Sequence, residues 1–429
     1  MKPLLLIQGP ASSRSGYGER TRDLILSLIE INHQTDRFQI KVVDMLWGGC
    51  PPTALSSDNP KEKQILDLFL TEPLTKQPEF FIQVSVPNEF QRIGSQLNIG
   101  VTAGIETTIC SPDWIEGCNR MDMIWTSSEH SKNVFLNTKF SKLDQRTQQP
   151  LGELKVNVPV LVVFEGIDIE TFANTKQTIV LPDTLPSFNF LFVGHWLPGE
   201  LGHDRKDVGM LIKTFLTTFK KVLANSACPG LILKTGTTFS EIDKHEIRKK
   251  INEIRKSLNI HESLLPPIHV VFGELTPEEM AGLYHHPKVK AHISFTKGEG
   301  YGRPIAEASL SKKPVIVPNW SGHVDFTPHA IKLAGQLQQI HPSAVWEKVL
   351  VPESSWFYVN YSYAAAVMKD VYTKYKTYEK TSALQSRFIK ENYSMTKMTE
   401  TIRSILDKHC NIIVPVVPEM LPLTLPTFE

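Results

Sequence analysis

The chain has 429 residues, 41% of them hydrophobic, with 46 Lys and Arg set against 45 Asp and Glu. That length and apolar content suit a protein of two to three domains and exclude fibrous and disordered classes. A formal net charge of +1 gives no global positive field to gather nucleic acid or an acidic membrane, and leaves open only a local basic groove built from Arg14, Arg20, Arg22 and Lys132. The five cysteines are odd in number, far apart and without a Cys-x-x-Cys pair, which fits reduced thiols in a cytoplasmic protein better than disulfides or zinc. The apolar run Leu4 to Ile7 is too short for a secretory signal. Nowhere do about 18 apolar residues occur together, so no transmembrane segment is expected.

Taken in chain order, short β-rich apolar runs alternate with amphipathic stretches, the pattern of parallel sheets covered by helices. The first series of predicted strands is Leu4–Ile7, Ile40–Val43, Phe80–Val84, Ile99–Thr102, Met123–Thr126 and Val160–Phe164. Glu165-Gly166-Ile167-Asp168 and the polar stretch Ala173–Pro186 then read as a linker. The second series is Phe188–Val193, Leu231–Lys234, His269–Phe272, Ala291–Phe295 and Val315–Val317, with helices expected around Val208–Val222, Glu241–Leu258, Pro277–Tyr284 and Arg303–Leu310. Two doubly wound α/β halves are the simplest account, with domains over 1–172 and 173–384. Tyr363 to Lys380 and Thr396 to Ile405 read as helices, and Pro415, Pro418, Pro422 and Pro426 space a tail that cannot hold a regular helix. No repeat of fixed period occurs, which excludes solenoids and propellers.

The strongest local signal is Ser294-Phe295-Thr296-Lys297-Gly298-Glu299-Gly300-Tyr301-Gly302-Arg303-Pro304-Ile305-Ala306-Glu307. An apolar strand ends, Gly298, Gly300 and Gly302 make a tight turn, and Pro304 sits in a first helical turn, where its missing N–H does no harm. The glycines let a ligand approach the backbone, and a helix N-terminus favours an anion by about 0.3–1 kcal/mol. Glu299 in the turn and Glu307 in the helix are two carboxylates at different depths, able to accept hydrogen bonds from sugar hydroxyls. Read without further context, the same residues also suit a plain strand-to-helix turn followed by an exposed helix acid.

With seven residues between them, Glu299 and Glu307 in Gly-Glu-Gly-Tyr-Gly-Arg-Pro-Ile-Ala-Glu-Ala resemble the E-x7-E signature of retaining GT-B glycosyltransferases of the glycosyltransferase family 4 type. Lys313-Pro314-Val315-Ile316-Val317-Pro318, Ser321-Gly322-His323, the Gly194 loop with Arg205-Lys206, the Gly166-Ile167-Asp168 hinge and Leu275–Met280 occur in that family's order, over roughly Leu4 to Ile405. The resemblance implies two Rossmann-like doubly wound parallel-sheet domains facing across a cleft, the first (1–172) binding mainly the acceptor and the second (173–384) mainly the nucleotide sugar. It implies a nucleotide-diphosphate sugar as donor substrate, no cofactor and no metal, and a C-terminal helix, about 385–429, packing back on the first domain. By it, Glu299 contacts the donor sugar, Glu307 the ribose, and the amides around Gly300, Tyr301, Gly302 and Arg303 the sugar and distal phosphate. Phe272 and Gly273 would lie beside the base, and Gly16, Tyr17 and Gly18 on a first-domain loop that closes on the diphosphate. In the family's mechanism a donor phosphate oxygen takes the acceptor proton while the C1–O bond breaks through an oxocarbenium-like state.

The remaining candidates carry two readings each. Arg205 and Lys206 stand where a leaving diphosphate gains charge, a contact whose loss typically costs about a hundredfold in rate, or they are solvated loop charges. Many relatives carry Arg directly after the glycine that ends the second domain's first strand; His195 stands there in this chain, so either it supplies a pH-dependent charge or Arg205 substitutes. Glu106 either orients the acceptor hydroxyl or caps a helix. Gly9 to Gly18 is neither Gly-x-Gly-x-x-Gly nor a Walker A loop, and its alternative is a surface loop. The histidines lack His-x-x-x-His spacing and no Asp-x-Asp tripeptide occurs, which speaks against a metal site and against the metal-dependent GT-A class. Trp320 and Tyr301 are the aromatics best placed to line a sugar cleft, ahead of Trp114, Trp196 and Tyr17, although a core position is the commoner fate of any single aromatic. The acceptor stays open among glycan, lipid, protein, small molecule and modified DNA base. The competing functions are a non-catalytic nucleotide-sugar-binding protein and a nucleotide-sugar epimerase or phosphorylase.

Overall fold

Leu4 to Ile7 are apolar toward both sides, as a strand covered on both faces requires, and they lie in β1 (Leu4–Gly9), which is paired along both edges inside the first sheet. The structure, a computed structural model, describes residues 2–410 apart from 145, 148, 198, 225 and 236–239. α1 (Gly16–Thr35) begins where the Ser15 hydroxyl accepts from the Gly18 amide and ends at Asp36, which adopts φ 47°. β2 (Gln39–Asp44), α2 (Pro60–Leu66), β3 (Phe80–Val84), β4 (Leu97–Val101), α3 (Pro112–Cys118), β5 (Met123–Thr126) and α4 (Glu129–Asn137) follow. An antiparallel hairpin, β6 (Phe140–Leu143) and β7 (Pro150–Leu154), precedes β8 (Val160–Val162). The first sheet has six parallel strands in the order β2-β1-β3-β4-β5-β8.

The second half starts with α5 (Ile169–Asn174), whose N-cap Asp168 accepts from the Thr171 amide. It continues through β9 (Asn189–Val193), α6 (Val208–Thr218), β10 (Gly230–Lys234), α7 (Ser240–Ser257), β11 (Ile268–Val271) and α8 (Pro277–His285). β12 (Val289–Ile293), α9 (Arg303–Ser309), β13 (Val315–Pro318) and β14 (Ile331–Leu333) complete a second six-stranded parallel sheet, ordered β11-β10-β9-β12-β13-β14. A second antiparallel hairpin, β15 (Gly335–Gln339) and β16 (Ser355–Val359), leads to α10 (Tyr361–Thr373), α11 (Tyr375–Asn392) and α12 (Met395–His409).

Leu24, Leu28 and Ile31 of α1 are buried against the first sheet. Met398, Ile402 and Leu406 of α12 join that same core, so the last described helix belongs to the first half although its sequence follows the second. The return is pinned by main-chain bonds, Ile167 N to Tyr393 O at 2.9 Å and Met395 N to Ile167 O at 3.1 Å. α11 stays on the second half: Gln385 Nε2 donates to Phe326 O at 2.7 Å and Ser386 Oγ to Leu310 O at 3.4 Å. The crossing thus falls near Tyr393 and not at residue 385, because the polar side chains of α11 already have partners beside α9.

Other differences have local causes. Residues 363–380 form no single helix; α10 ends at its C-cap Lys374 and α11 restarts at Tyr375. The strand expected over Val160–Phe164 stops at Val162, since the carbonyls of Val163 and Phe164 turn to accept from the Arg20 guanidinium. β14 and both hairpins had no predicted counterpart; β15 carries Gln336, Gln338 and Gln339 and lacks the apolar signal of a core strand. The Pro-spaced tail lies outside the described residues. Among the described residues, no helix is long and apolar enough to cross a membrane.

Candidate functional site

The chain leaves β12 at the edge of the second half that faces the first, and residues 294–302 run directly beneath the loop after β4. Here the glycines are dictated by the other half of the protein. A Cβ on Gly298 would lie 1.9 Å from the Glu106 carbonyl oxygen, and one on Gly300 2.1 Å from that of Ala103. Gly302 caps α9 at φ 102°, a conformation that favours glycine. Ser128 Oγ donates to Gly300 O at 2.6 Å, and the Gly322 amide to Glu299 O at 2.9 Å. The alternating glycines thus permit close approach of main chain from across the seam, where the sequence alone suggests close approach of a ligand.

Glu299 lies in this seam with two cations. Lys206 Nζ donates to its Oε1 at 2.5 Å and Arg205 Nη1 to its Oε2 at 3.1 Å. Arg205 also donates to Gly298 O at 2.9 Å and stands 3.5 Å from Glu106 Oε1, so it touches both halves. Burial alone would raise the Glu299 pKa, but Lys206 and Arg205 outweigh it and hold the carboxyl at about 2. For Lys206 burial prevails over Glu299 and lowers the pKa, whereas Glu106 and Glu299 raise that of Arg205 against burial. Behind them Lys297 Nζ reaches Asp207 Oδ1 at 2.9 Å, both fully buried, and Tyr361 Oη donates to Asp207 Oδ2 at 2.7 Å. Asp207 adopts φ 53° at the start of α6, which fixes the segment that carries Arg205 and Lys206.

Glu307 is as buried as Glu299, at 8% and 6% exposure, so the two carboxylates share one depth, contrary to the sequence expectation. Arg303 Nε donates to Glu307 Oε1 and Tyr284 Oη to Glu307 Oε2, both at 3.2 Å. The Arg303 guanidinium crosses the seam to Asp23, to Glu19 at 3.3 Å and to Glu165 at 3.8 Å. Burial pushes the Glu165 carboxyl up to about 7 against the pull of Arg20 and Arg303, and that of Glu307 up to about 8 against the pull of Arg303.

Gly16, Tyr17 and Gly18 open α1, on the side facing the second half. A Cβ on Gly18 would meet Ser13 O at 2.0 Å, whereas Gly16 has open space. Tyr17 Oη is 2.9 Å from Thr102 Oγ1, and its ring stacks on Trp47. Gly273 has φ 84° and its carbonyl accepts from Lys234 Nζ at 2.8 Å; Arg248 lies over the Phe272 ring. Arg14 bridges to Glu274 at 3.0 Å, bringing the two loops together. His195 is exposed in the loop after β9.

Some expectations change. Tyr301 is no cleft-lining aromatic: it is 3% exposed in the core against Phe326, and Trp114 and Trp196 are core residues too. Trp320 stays partly exposed, between His130 and Phe357. The basic groove does not form, since Arg20 is buried on the Val163 and Phe164 carbonyls and Arg22 bonds Ala11 O and Ser13 O. Sequence reasoning missed Asp207, Lys297, Asp23, Glu19, Glu165 and Ser128. Lys297 lies inside the motif and Glu165 beside the hinge, but only tertiary contact reveals their partners.

No protein-family model matches the sequence, and no curated protein matches it either. Solved structures do match. A glycosyltransferase from Rickettsia africae aligns over 96% of this chain and 99% of its own, with a TM-score of 0.59 at 13% identity. Trehalose-6-phosphate synthase, studied with bisubstrate glycomimetics for transfer with retention, aligns over 94% and 99%, with a TM-score of 0.57 at 12% identity. HepE from Anabaena, in complex with UDP and glucose, aligns over 95% and 100%, with a TM-score of 0.54 at 12% identity. Because these likenesses cover almost the whole chain, including both sheets, the chain has the GT-B fold: two Rossmann-like α/β domains facing each other.

Proposed function

We propose that this protein is a glycosyltransferase that moves a sugar from a nucleoside-diphosphate sugar to an acceptor hydroxyl, with retention at the anomeric carbon and without a metal ion. The observation that carries the reading is the convergence of Lys206 and Arg205 on Glu299 in the seam between the domains. A diphosphate entering there competes for the two cations, which frees the Glu299 oxygens to accept hydrogen bonds from sugar hydroxyls. Charge gathers on the leaving diphosphate as the C1–O bond breaks, and the paired cations oppose it. A phosphate oxygen of the donor takes the acceptor proton as the new C1–O bond forms, so the protein need only position the reactants and stabilise charge. Glu106, 3.5 Å from Arg205 and supplied by the first domain, holds the acceptor side in register. The retaining trehalose-6-phosphate synthase and the UDP complex of HepE, sharing the fold, support this choice.

The test is a thermal-shift series with UDP, GDP, ADP and CDP in the presence of EDTA. A ligand at a hundred times its Kd raises native stability by about 2.7 kcal/mol. Stabilisation by one diphosphate series is expected, and donor-sugar turnover with that series should follow. Silence toward all four at millimolar concentration would sink the reading.

A further inference from the structure

Beside the reaction centre, β15 and β16 and the loop that joins them stand against the segment carrying Arg205 and Lys206. The hairpin is tied on three sides. Phe357 N donates to Lys297 O at 2.9 Å, close to Glu299 in the chain. Thr108 N donates to Ser355 O at 2.9 Å and Ser355 N to Thr108 Oγ1 at 2.8 Å, joining it to the first domain just after Glu106. Glu200 N donates to Ser343 Oγ at 3.3 Å, joining its loop to the segment before Arg205. Between hairpin and segment lies a groove of about 630 Å³, within the ordinary size of a ligand site.

The lining has a definite chemistry. His203 and His341 stack at 3.9 Å and 17°, and His203 Nδ1 lies 3.4 Å from Tyr358 Oη. Gln338 and Gln339 add exposed amides, and Trp346, in the same loop, is 68% exposed. No Asp, Glu, Lys or Arg lines the groove among the described residues. Burial, His341 and Lys297 all press His203 toward its neutral form. Flat rings beside amides suit sugar rings, whose C–H faces stack and whose hydroxyls both donate and accept. With no Asp, Glu, Lys or Arg in the lining, the groove offers no fixed counter-charge to phosphate, sulfate or uronate groups.

We infer that this groove, lined by the second domain, continues the first domain's acceptor side beyond Thr108 and takes a neutral oligosaccharide, whose terminal hydroxyl reaches toward Arg205 and Glu299. The inference rests on the proposed transferase reading and narrows its acceptor to one class. Calorimetry on the full chain, with and without UDP, uses maltohexaose, mannohexaose and chitohexaose as neutral probes and a heparin hexasaccharide as the acidic one. The rise in Tm with UDP, GDP, ADP or CDP is read in parallel to report on the donor site. One neutral hexasaccharide is expected to bind, with Kd weakened about tenfold or more by His341→Ala and by the exposed Gln338→Ala, and to be extended when donor is present. If UDP stabilises the protein while no neutral hexasaccharide binds at millimolar concentration, or the heparin hexasaccharide binds best, the subsite is refuted and the donor reading stands. Binding that survives both substitutions places the glycan elsewhere and refutes the groove. If a neutral hexasaccharide binds but UDP, GDP, ADP and CDP all leave Tm unchanged, the acceptor assignment falls together with the transferase reading.

Discussion

Lys206 and Glu299 lie out of water, and each makes the other's charge tolerable. Removing one partner of such a pair leaves an uncompensated buried charge, typically at a cost of about 3–5 kcal/mol. Lys206→Met is therefore expected to lower the urea midpoint strongly. Glu299→Gln in the same chain should restore part of the loss, which a double-mutant cycle measures as a coupling. An additive pair would show that the two side chains do not sense each other. The Glu299 carboxyl, held at about 2 against an ordinary 4.5, binds fewer protons in the folded state than in the unfolded state between those values. Its stabilisation is whole above pH 4.5 and lost as the pH falls toward 2. Acid unfolding curves should accordingly be shallower for Glu299→Gln than for the unaltered chain.

At the scale of elements, two devices hold the domains together. One is the glycine segment between β12 and α9, where Gly300 lies under the Ala103 carbonyl. Gly300→Ala puts a methyl group where main chain now sits, a steric insertion of the kind that costs about 1–3 kcal/mol. The expected result is a larger radius of gyration in X-ray scattering, because moving the domains apart relieves the clash; an unchanged radius with full stability would count against the packing. The other device is α12, which leaves the second domain to fill the first domain's core. Ile402 is fully buried there, and Ile402→Ala should destabilise by about 2–5 kcal/mol in chemical denaturation.

For the whole molecule, Arg303 at the seam gathers Glu307 from its own domain and Asp23, Glu19 and Glu165 from the other. Arg303, even with Arg20 beside Glu165, does not neutralise four acids, and burial raises Glu307 to about 8 and Glu165 to about 7. A raised carboxyl binds more protons folded than unfolded, so its contribution is complete below pH 4.5 and lost as the pH rises through its folded value. Tm is expected to fall between pH 5 and about 8.5, and Glu307→Gln to flatten that fall. A slope unchanged by the substitution would remove Glu307 from the account. The same network explains why the domains meet closely: salt bridges across the seam stand in for an apolar interface.

The strands of both sheets except β14 were legible in the sequence because a strand covered on both faces is largely apolar: Leu4–Ile7 is wholly so, and Phe80–Val84 and Met123–Thr126 carry one polar residue each, Gln83 and Thr126. Glu299, Glu307 and the glycines between them were legible as a motif, since their spacing is local. The hairpin over 335–359 was not, because its strands are held by contacts to Lys297 and Thr108, far away in the chain. Sequence by itself therefore determined two α/β halves and the loop that carries Glu299. Only the tertiary structure decided that Gly298 and Gly300 face the other domain, that Lys206 and Arg205 meet on Glu299, and that Arg303 spends its charge across the seam. Periodicity records what each residue must do for its own strand or helix, whereas partners from distant parts of the chain are chosen only when the two sheets come together.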